Sequence, residues 1–318
     1  VTIMESIEEA AAYLAGHDSQ TPQEPSSEES AALALGEALG LWLEMLQPFS
    51  DRFGPALGSN SWLLGPSRTK SGKPILANDP HIGFTNPGVW YEAHITYPAY
   101  DNYGHYFPLI PFPLLGHNLE RGWGLTMFAN DDIDLYFETF HPDDPMQVMF
   151  KGEWVPVQTE TEVIQVRFAQ EVRHDVRITP HGPVITDLLR LLHGYEGPDV
   201  SLSWTWQNVE YTDMLAFYRM GLARNLDEFR EAVAFITSPG INISYADAQG
   251  NIAWWAAGKI TIRPEHVYHK KILDGGSGHD EILGYVPFDL NPHLINPESG
   301  YIVTANNAVV GPDYPYFL

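Results

Sequence analysis

Leu57-Gly58-Ser59-Asn60-Ser61-Trp62, followed after a polar turn by Gly72-Lys73-Pro74-Ile75-Leu76-Ala77-Asn78-Asp79-Pro80-His81, is the stretch that decides how this chain is read. A small residue, a hydroxyl, an amide and a bulky aromatic lead through a Gly-containing turn into Ile-Leu-Ala. That order suits a place where the backbone itself is cut. A serine hydroxyl is a weak nucleophile at neutral pH and needs a base beside it. If the Gly58–Ser59 bond breaks, Ser59 gains a free α-amino group with a reference pKa of roughly 7.7–8.0, a usable base near neutrality. Gly58 lacks a β-carbon, so the chain can bend sharply where the Ser59 hydroxyl would attack the preceding carbonyl. By itself Gly-Ser-Asn is also ordinary surface-turn chemistry, and the rest of the sequence has to choose.

The composition narrows the field. The 318 residues are 44% hydrophobic and 13% aromatic, enough material for a core and against global disorder. Seventeen basic against 41 acidic residues leave a formal net charge of −24, which repels a phosphate backbone and excludes nucleic acid as an expected partner. There is no cysteine, so disulfides, thiolate metal sites and cysteine nucleophiles are ruled out. No run of about 18 apolar residues offers a membrane span. The first residues, Val1 to Ala12, are acidic and lack both an initiating Met and a basic signal region, and the end at Tyr314-Pro315-Tyr316-Phe317-Leu318 is abrupt; the chain reads as a fragment.

Along the chain, Thr21 to Ser30 reads as a linker rich in Pro, Ser and Glu. Ser26-Ser27-Glu28-Glu29 is a capping-box start, after which Leu35, Leu39, Trp42, Leu43 and Leu46 recur on one helical face until Pro48. Pro48 to Gly58 is then a connector, removable or an ordinary loop. From Ser59 the texture turns to β. Strands are expected at Trp62–Leu64, Pro74–Ala77 and Val89–Tyr97. Alternation also places Ile164, Val166 and Phe168 on one side, and Val176 and Ile178 around Arg177. Helices return at about Thr212 to Leu222 and after the Asn225 cap, and Ile241–Ala246 with Asn251–Ala256 forms a hairpin. Strands and helices are segregated rather than alternated, so the expected class is α+β.

Several stretches carry chemistry types in a fixed order. Gly116-His117-Asn118-Leu119-Glu120-Arg121-Gly122-Trp123-Gly124-Leu125-Thr126-Met127 precedes the acidic Asn130-Asp131-Asp132-Ile133-Asp134, three carboxylates in four positions that suit hard-cation binding or simple solvation. Ile241-Asn242-Ile243-Ser244-Tyr245-Ala246-Asp247, His181-Gly182-Pro183-Val184 and Asn296 to Asn307 follow. No Gly-x-Ser-x-Gly elbow occurs, which removes the usual α/β-hydrolase reading. Taken together and in order, over roughly Pro55 to Asn307, these stretches resemble the penicillin acylase family of N-terminal nucleophile hydrolases.

The resemblance implies a four-layer αββα sandwich, here incomplete. Residues 1–58 would be the end of a leading chain with its spacer, and residues 59–318 the first part of the catalytic chain. It implies a zymogen that cuts itself at Gly58–Ser59 and then hydrolyses a linear carbon–nitrogen amide, a β-lactam acylase and an acyl-homoserine lactone acylase fitting equally. Ser59 would be nucleophile and base, and His81 would orient it. The Met127 backbone N–H and the Asn242 side chain would form the oxyanion hole. Arg263 would lower the pKa of the α-amine. Ile82, Phe84, Leu115 and Leu125 would line the acyl pocket, with core packing as their plain alternative. Asp131, Asp134 and the Ile133 carbonyl would hold calcium. Partners implied are a small-molecule amide and the cleaved leading chain, in a periplasmic or secreted setting. The rival function is a calcium-dependent binding module of the same fold without hydrolase activity.

Overall fold

A computed structural model describes residues 30–41, 44, 58–83, 85–128, 130–268, 271–311 and 313–316. The capping box, the connector from Pro48 to Leu57, and Trp42, Leu43 and Leu46 of the predicted helix lie outside the described residues. The chain forms two compact units, each drawing on separated stretches: residues 1–48, 133–208 and 263–283 in the first, and 49–132, 209–262 and 284–318 in the second.

The second unit is built in layers. Its largest element is an antiparallel seven-stranded sheet in the order His293–Ile295, Ile252–Ala257, Ile241–Asp247, Arg121–Met127, Leu115–His117, Tyr100–Tyr106 and Tyr91–Tyr97. One face buries Trp123, Ile243, Tyr245, Ala253 and Trp255 against Phe217 and Met220 of the Asp213–Leu222 helix and Phe229, Ala232 and Val233 of the Leu226–Val233 helix. The second helix starts where Asn225 Oδ1 accepts from the Glu228 N–H at 2.9 Å, the cap expected from its sequence. Both helices and the 241–257 hairpin stand within a residue or two of their expected positions.

A three-stranded antiparallel sheet, ordered Ile75–His81, Gly58–Leu64 and Tyr301–Thr304, covers the other face. Between the sheets Leu63 and Ile302 pack on Ile252, Trp254 and Ala256. Period-two geometry then puts Ser59, Ser61 and Leu63 on the inward side and leaves Trp62 on the outward side, half exposed. Helix, sheet and sheet make three layers of the expected α+β sandwich.

The first unit pairs Ile133–Glu138 with Asp199–Trp204 and, in parallel, with Leu273–Asp274. Helical residues Leu35 and Ala38 are buried with Leu189, Tyr195 and Val200. The predicted Ile164–Phe168 alternation ends at Ile164. Residues 165–171 turn between the strands Gln158–Ile164 and Val172–Thr179, and Phe168 is exposed at φ +64°. A side chain at a hairpin tip has no second layer to meet, so its alternation with neighbours carries no burial.

At the centre of this unit His181 Nδ1 meets Glu138 Oε1 at 2.8 Å and Nε2 meets Glu281 Oε1 at 2.9 Å. Tyr136 stacks on the imidazole at 4.0 Å, and Thr179 and Ser201 hydroxyls donate to the same Glu138 oxygen. Burial alone would depress the His181 pKa, but the two carboxylates outweigh it and raise the pKa to about 9. Burial opposes the ionised form of Glu138 too, yet the His181 and hydroxyl hydrogen bonds leave its pKa lowered.

The imidazolium therefore stabilises this unit fully below the unfolded-state value of about 6.5, and that contribution is lost as pH rises through about 9. The Glu138 contribution has the opposite sense and is lost in acid. Denaturant unfolding at a series of pH values is expected to show stability falling by on the order of 2 kcal/mol between neutral pH and pH ~10. His181→Gln should be less stable at neutral pH and should not show that alkaline decline.

Candidate active site

The inward face of the Gly58–Leu64 strand runs from apolar to polar: Leu63 in the core, then Ser61, then Ser59 at the strand's start. Ser61 Oγ donates to Ser244 Oγ at 2.8 Å across the gap between sheets, and Thr126 Oγ1 donates to Thr304 Oγ1 at 3.1 Å. Small hydroxyls pairing with each other let two sheets close without stranding a polar group. Ser59 stands at the end of this seam, 6% exposed.

Asn78 sets the distance between the Gly58–Leu64 strand and the Arg121–Met127 strand. Its Nδ2 donates to Asn60 O at 2.9 Å and to Leu125 O at 2.8 Å, while its Oδ1 accepts from the Leu125 N–H at 3.0 Å. One carboxamide thus serves three backbone groups, as a peptide unit of an added strand would. Room for it comes from Gly124, where a β-carbon would lie 2.7 Å from the Asn78 Cβ, Cγ and Oδ1. Both residues belong to the quoted stretches, and neither had been assigned a role.

Gly58 has φ +124°, a region in which side chains other than hydrogen are strained. A β-carbon there would also lie 2.9 Å from Asn306 Oδ1. That oxygen accepts a hydrogen bond from the Ser59 backbone N–H, and Asn306 Nδ2 donates to Met127 O at 3.2 Å. Asn306 therefore stands beside Ser59 in the candidate site, and nothing in its local sequence announces that contact. It lies 247 positions from Ser59, and the antiparallel pairing of the 58–64 and 301–304 strands, which ends at Ser61 with Thr304, brings its turn alongside.

The remaining predicted residues divide. Met127 ends its strand beside Asn242: Asn242 Nδ2 donates to Met127 O at 3.0 Å and to Thr126 Oγ1 at 3.1 Å, and its Oδ1 accepts from Trp254 Nε1 at 2.9 Å. Asn242 is completely buried, and both amide hydrogens are committed in this arrangement.

His81 departs from its predicted contact. Register pairs Ser59 with Pro80 and Gly58 with His81, which sets the His81 side chain on the opposite face from the Ser59 hydroxyl. Its Nε2 meets Asp79 Oδ2 at 3.0 Å and Asn60 Nδ2 at 3.2 Å, so it braces Asn60 rather than orienting Ser59 directly.

Leu125 shares the face of Trp123 and packs into the helix-side core, which corrects its place in an acyl pocket. Leu115 is buried in its strand, Ile82 is half-buried just beyond the 75–81 strand, and Phe84 lies outside the described residues.

Arg263 and Asp134 both belong to the first unit, where the guanidinium donates to both carboxylate oxygens at 2.9–3.2 Å with both side chains buried. In the second unit the Asp131 carbonyl accepts from Thr261 Oγ1 at 3.5 Å. A calcium ion at Asp134 would compete with a buried guanidinium for the same oxygens. Among the described residues no group of three or more His, Asp or Glu is placed to hold a metal. The Asp134 carboxylate is thus already held by Arg263, and no step below runs through a metal.

The penicillin amidase family model matches residues 5–318, nearly the whole chain. The chain belongs to the penicillin amidase family. It is 32% identical over 266 residues to the penicillin acylase 2 proenzyme of Pseudomonas sp. (strain SE83), covering 82% of this chain and 33% of that protein. It is 27% identical over 266 residues to the acyl-homoserine lactone acylase QuiP of Pseudomonas aeruginosa, covering 80% and 31%. Among solved structures it matches the thermostable penicillin G acylase of Alcaligenes faecalis with a TM-score of 0.72 and 30% identity, over 81% of this chain and 46% of that one. This penicillin amidase family chain thus spans about a third of the length of the curated relatives it matches.

The Asn78 clasp makes a direct prediction for the family chain. Asn78→Ala leaves three backbone groups without their partner and should cost about 2–4 kcal/mol in urea unfolding. Gly124→Ala, which only crowds the same carboxamide, should also destabilise, and the two effects should be strongly non-additive in the double variant.

Proposed function

We propose that this chain carries the nucleophile portion of a self-processing amidohydrolase, with Ser59 as both nucleophile and, after cleavage, base. The observation that carries the reading is the placement of Ser59: a buried residue on the inward face of its strand, directly after a positive-φ glycine, its backbone nitrogen tied through Asn306 to the Met127 carbonyl. A serine needed only for packing calls for no positive-φ glycine before it.

In the proposed maturation the Ser59 hydroxyl attacks the Gly58 carbonyl carbon, the C–N bond breaks, and the Gly58 acyl group moves from nitrogen to oxygen. Water then hydrolyses that ester, leaving a Gly58 carboxylate and a free Ser59 amine. The buried packing of Leu35 and Ala38 against Leu189, Tyr195 and Val200 supports a leading chain that stays bound after the cut, because those contacts do not depend on the 58–59 bond.

In the proposed catalytic cycle the α-amine takes the hydroxyl proton as Ser59 Oγ adds to the substrate amide carbon. The Met127 N–H and Asn242 Nδ2 donate to the oxyanion; for Asn242 this requires turning one hydrogen away from Thr126 Oγ1 or Met127 O. The ammonium then protonates the leaving amine, giving an acyl ester on Ser59, and water attacks that ester by the same route to release the acid. The names of the relatives, penicillin acylases and acyl-homoserine lactone acylases, support a linear amide with an acyl side chain as the substrate class.

Denaturing mass spectrometry of the purified full gene product tests this reading. Two chains are expected, the second beginning Ser-Asn-Ser-Trp, and Ser59→Ala should give one uncut chain with no amide hydrolysis. A wild-type product that remains a single chain, or a Ser59→Ala product cut at the same bond, contradicts it.

A further inference from the structure

The Asn306 carboxamide joins the pieces of the site that the proposed cycle uses. Its Oδ1 accepts from the backbone nitrogen of Ser59, its Nδ2 is anchored on the Met127 carbonyl, and its oxygen fills the space a β-carbon at residue 58 would need. We infer that Asn306 is the positioning residue for the Ser59 amine, holding the same nitrogen first as the scissile amide and then as the catalytic base. The inference rests on the reading of Ser59 given above.

The chemistry follows from the anchor. Because Nδ2 donates to Met127 O, the amide plane is held and its oxygen is the end presented to Ser59. In the uncut chain that oxygen accepts the single N–H of the scissile peptide. Once the bond is cut, the nitrogen carries two hydrogens and a lone pair when neutral. Giving one hydrogen to Asn306 Oδ1 limits the rotation of the amine, which lets the lone pair face the Ser59 hydroxyl. A neutral carboxamide does this without the large pKa rise that a carboxylate would impose, and so leaves the amine usable as a base near neutrality.

The local backbone is consistent with a built position rather than a chance contact. Asn306 has φ +59°, a left-handed conformation that asparagine adopts more readily than most residues, and the Ala305 N–H to Asn307 Oδ1 bond of 3.0 Å closes the turn around it. The turn follows directly from the Tyr301–Thr304 strand, whose Thr304 pairs with Ser61. The nucleophile strand and the residue facing its nitrogen are thus carried by neighbouring strands of one sheet.

Two variants keep the backbone conformation and separate this role from a purely structural one. Asn306→Gly removes the carboxamide at a φ that glycine tolerates, and Asn306→Asp keeps the shape and adds a charge. Both are made in the full gene product and assayed on a chromogenic N-acyl nitroanilide after maturation is checked by mass spectrometry. Where a variant does not cut itself, the two chains are co-expressed, the catalytic one translated from Ser59 behind an initiating Met that is removed.

Asn306→Gly should lower kcat about tenfold with KM changed less than about twofold. Asn306→Asp should move the acid limb of the kcat/KM profile up by about one pH unit, because a carboxylate beside the ammonium favours its protonated form. A folded Asn306→Asp enzyme whose profile overlays the wild type, or an Asn306→Gly enzyme with unchanged kcat, overturns the inference. A wild-type gene product that never cuts overturns instead the reading of Ser59 on which it rests.

Discussion

The carboxamide of Asn78 is the constraint on which the site depends. It satisfies the Asn60 carbonyl on one strand and the N–H and carbonyl of Leu125 on another, and so fixes how far the strand that carries Ser59 stands from the strand that ends at Met127. A sheet-to-sheet contact made only of aliphatic side chains has no such register, since apolar packing is non-directional. Here the apolar part, Leu63 and Ile302 on Ile252 and Trp254, supplies the burial, while the amide and the hydroxyl pairs decide where Ser59 ends up.

That division explains why the site is so poor in charge. The groups around Ser59 are amides, hydroxyls and backbone: Asn78, Asn306, Asn242, Ser61, Thr126. The His181–Glu138–Glu281 cluster and the buried Arg263–Asp134 pair belong to the other compact unit, while the buried carboxylates of this one, Asp213 and Asp247, are hydrogen-bonded to Thr237 and to Tyr245 and Asn251. In the proposed cycle, neutral dipoles would orient a hydroxyl and an amine without driving either into the wrong protonation state. A base with a reference pKa near 8 needs only orientation and modest adjustment to work at neutral pH.

How much was legible in the sequence follows from the range of each interaction. The Asn225 cap and the 241–257 hairpin are local, and their residues announced them. The order of Ser59, Met127 and Asn242 could be matched to a family because strand residues keep their sequence spacing. The side on which His81 points was hidden, because it depends on pairing Gly58 with His81 rather than Ser59 with His81, and a shift of one residue reverses the face. Leu125 was misplaced for the same reason: alternate residues of its strand face the helices and the second sheet. Asn306 and Asn78 were beyond reach, since an asparagine 247 residues away, or one satisfying another strand's backbone, leaves no periodic trace. The buried Arg263–Asp134 pair was similarly invisible, its partners lying 129 positions apart.

The central claim is that the backbone nitrogen of Ser59 becomes an amine and serves as the proton acceptor. Nitrogen-15 NMR of the mature protein, labelled in serine, observes that atom directly. The account predicts that the Ser59 signal leaves the amide region and titrates near neutrality, with the same midpoint as the acid limb of activity. A Ser59 nitrogen that stays in the amide region, or an amine whose titration is unrelated to activity, would contradict it.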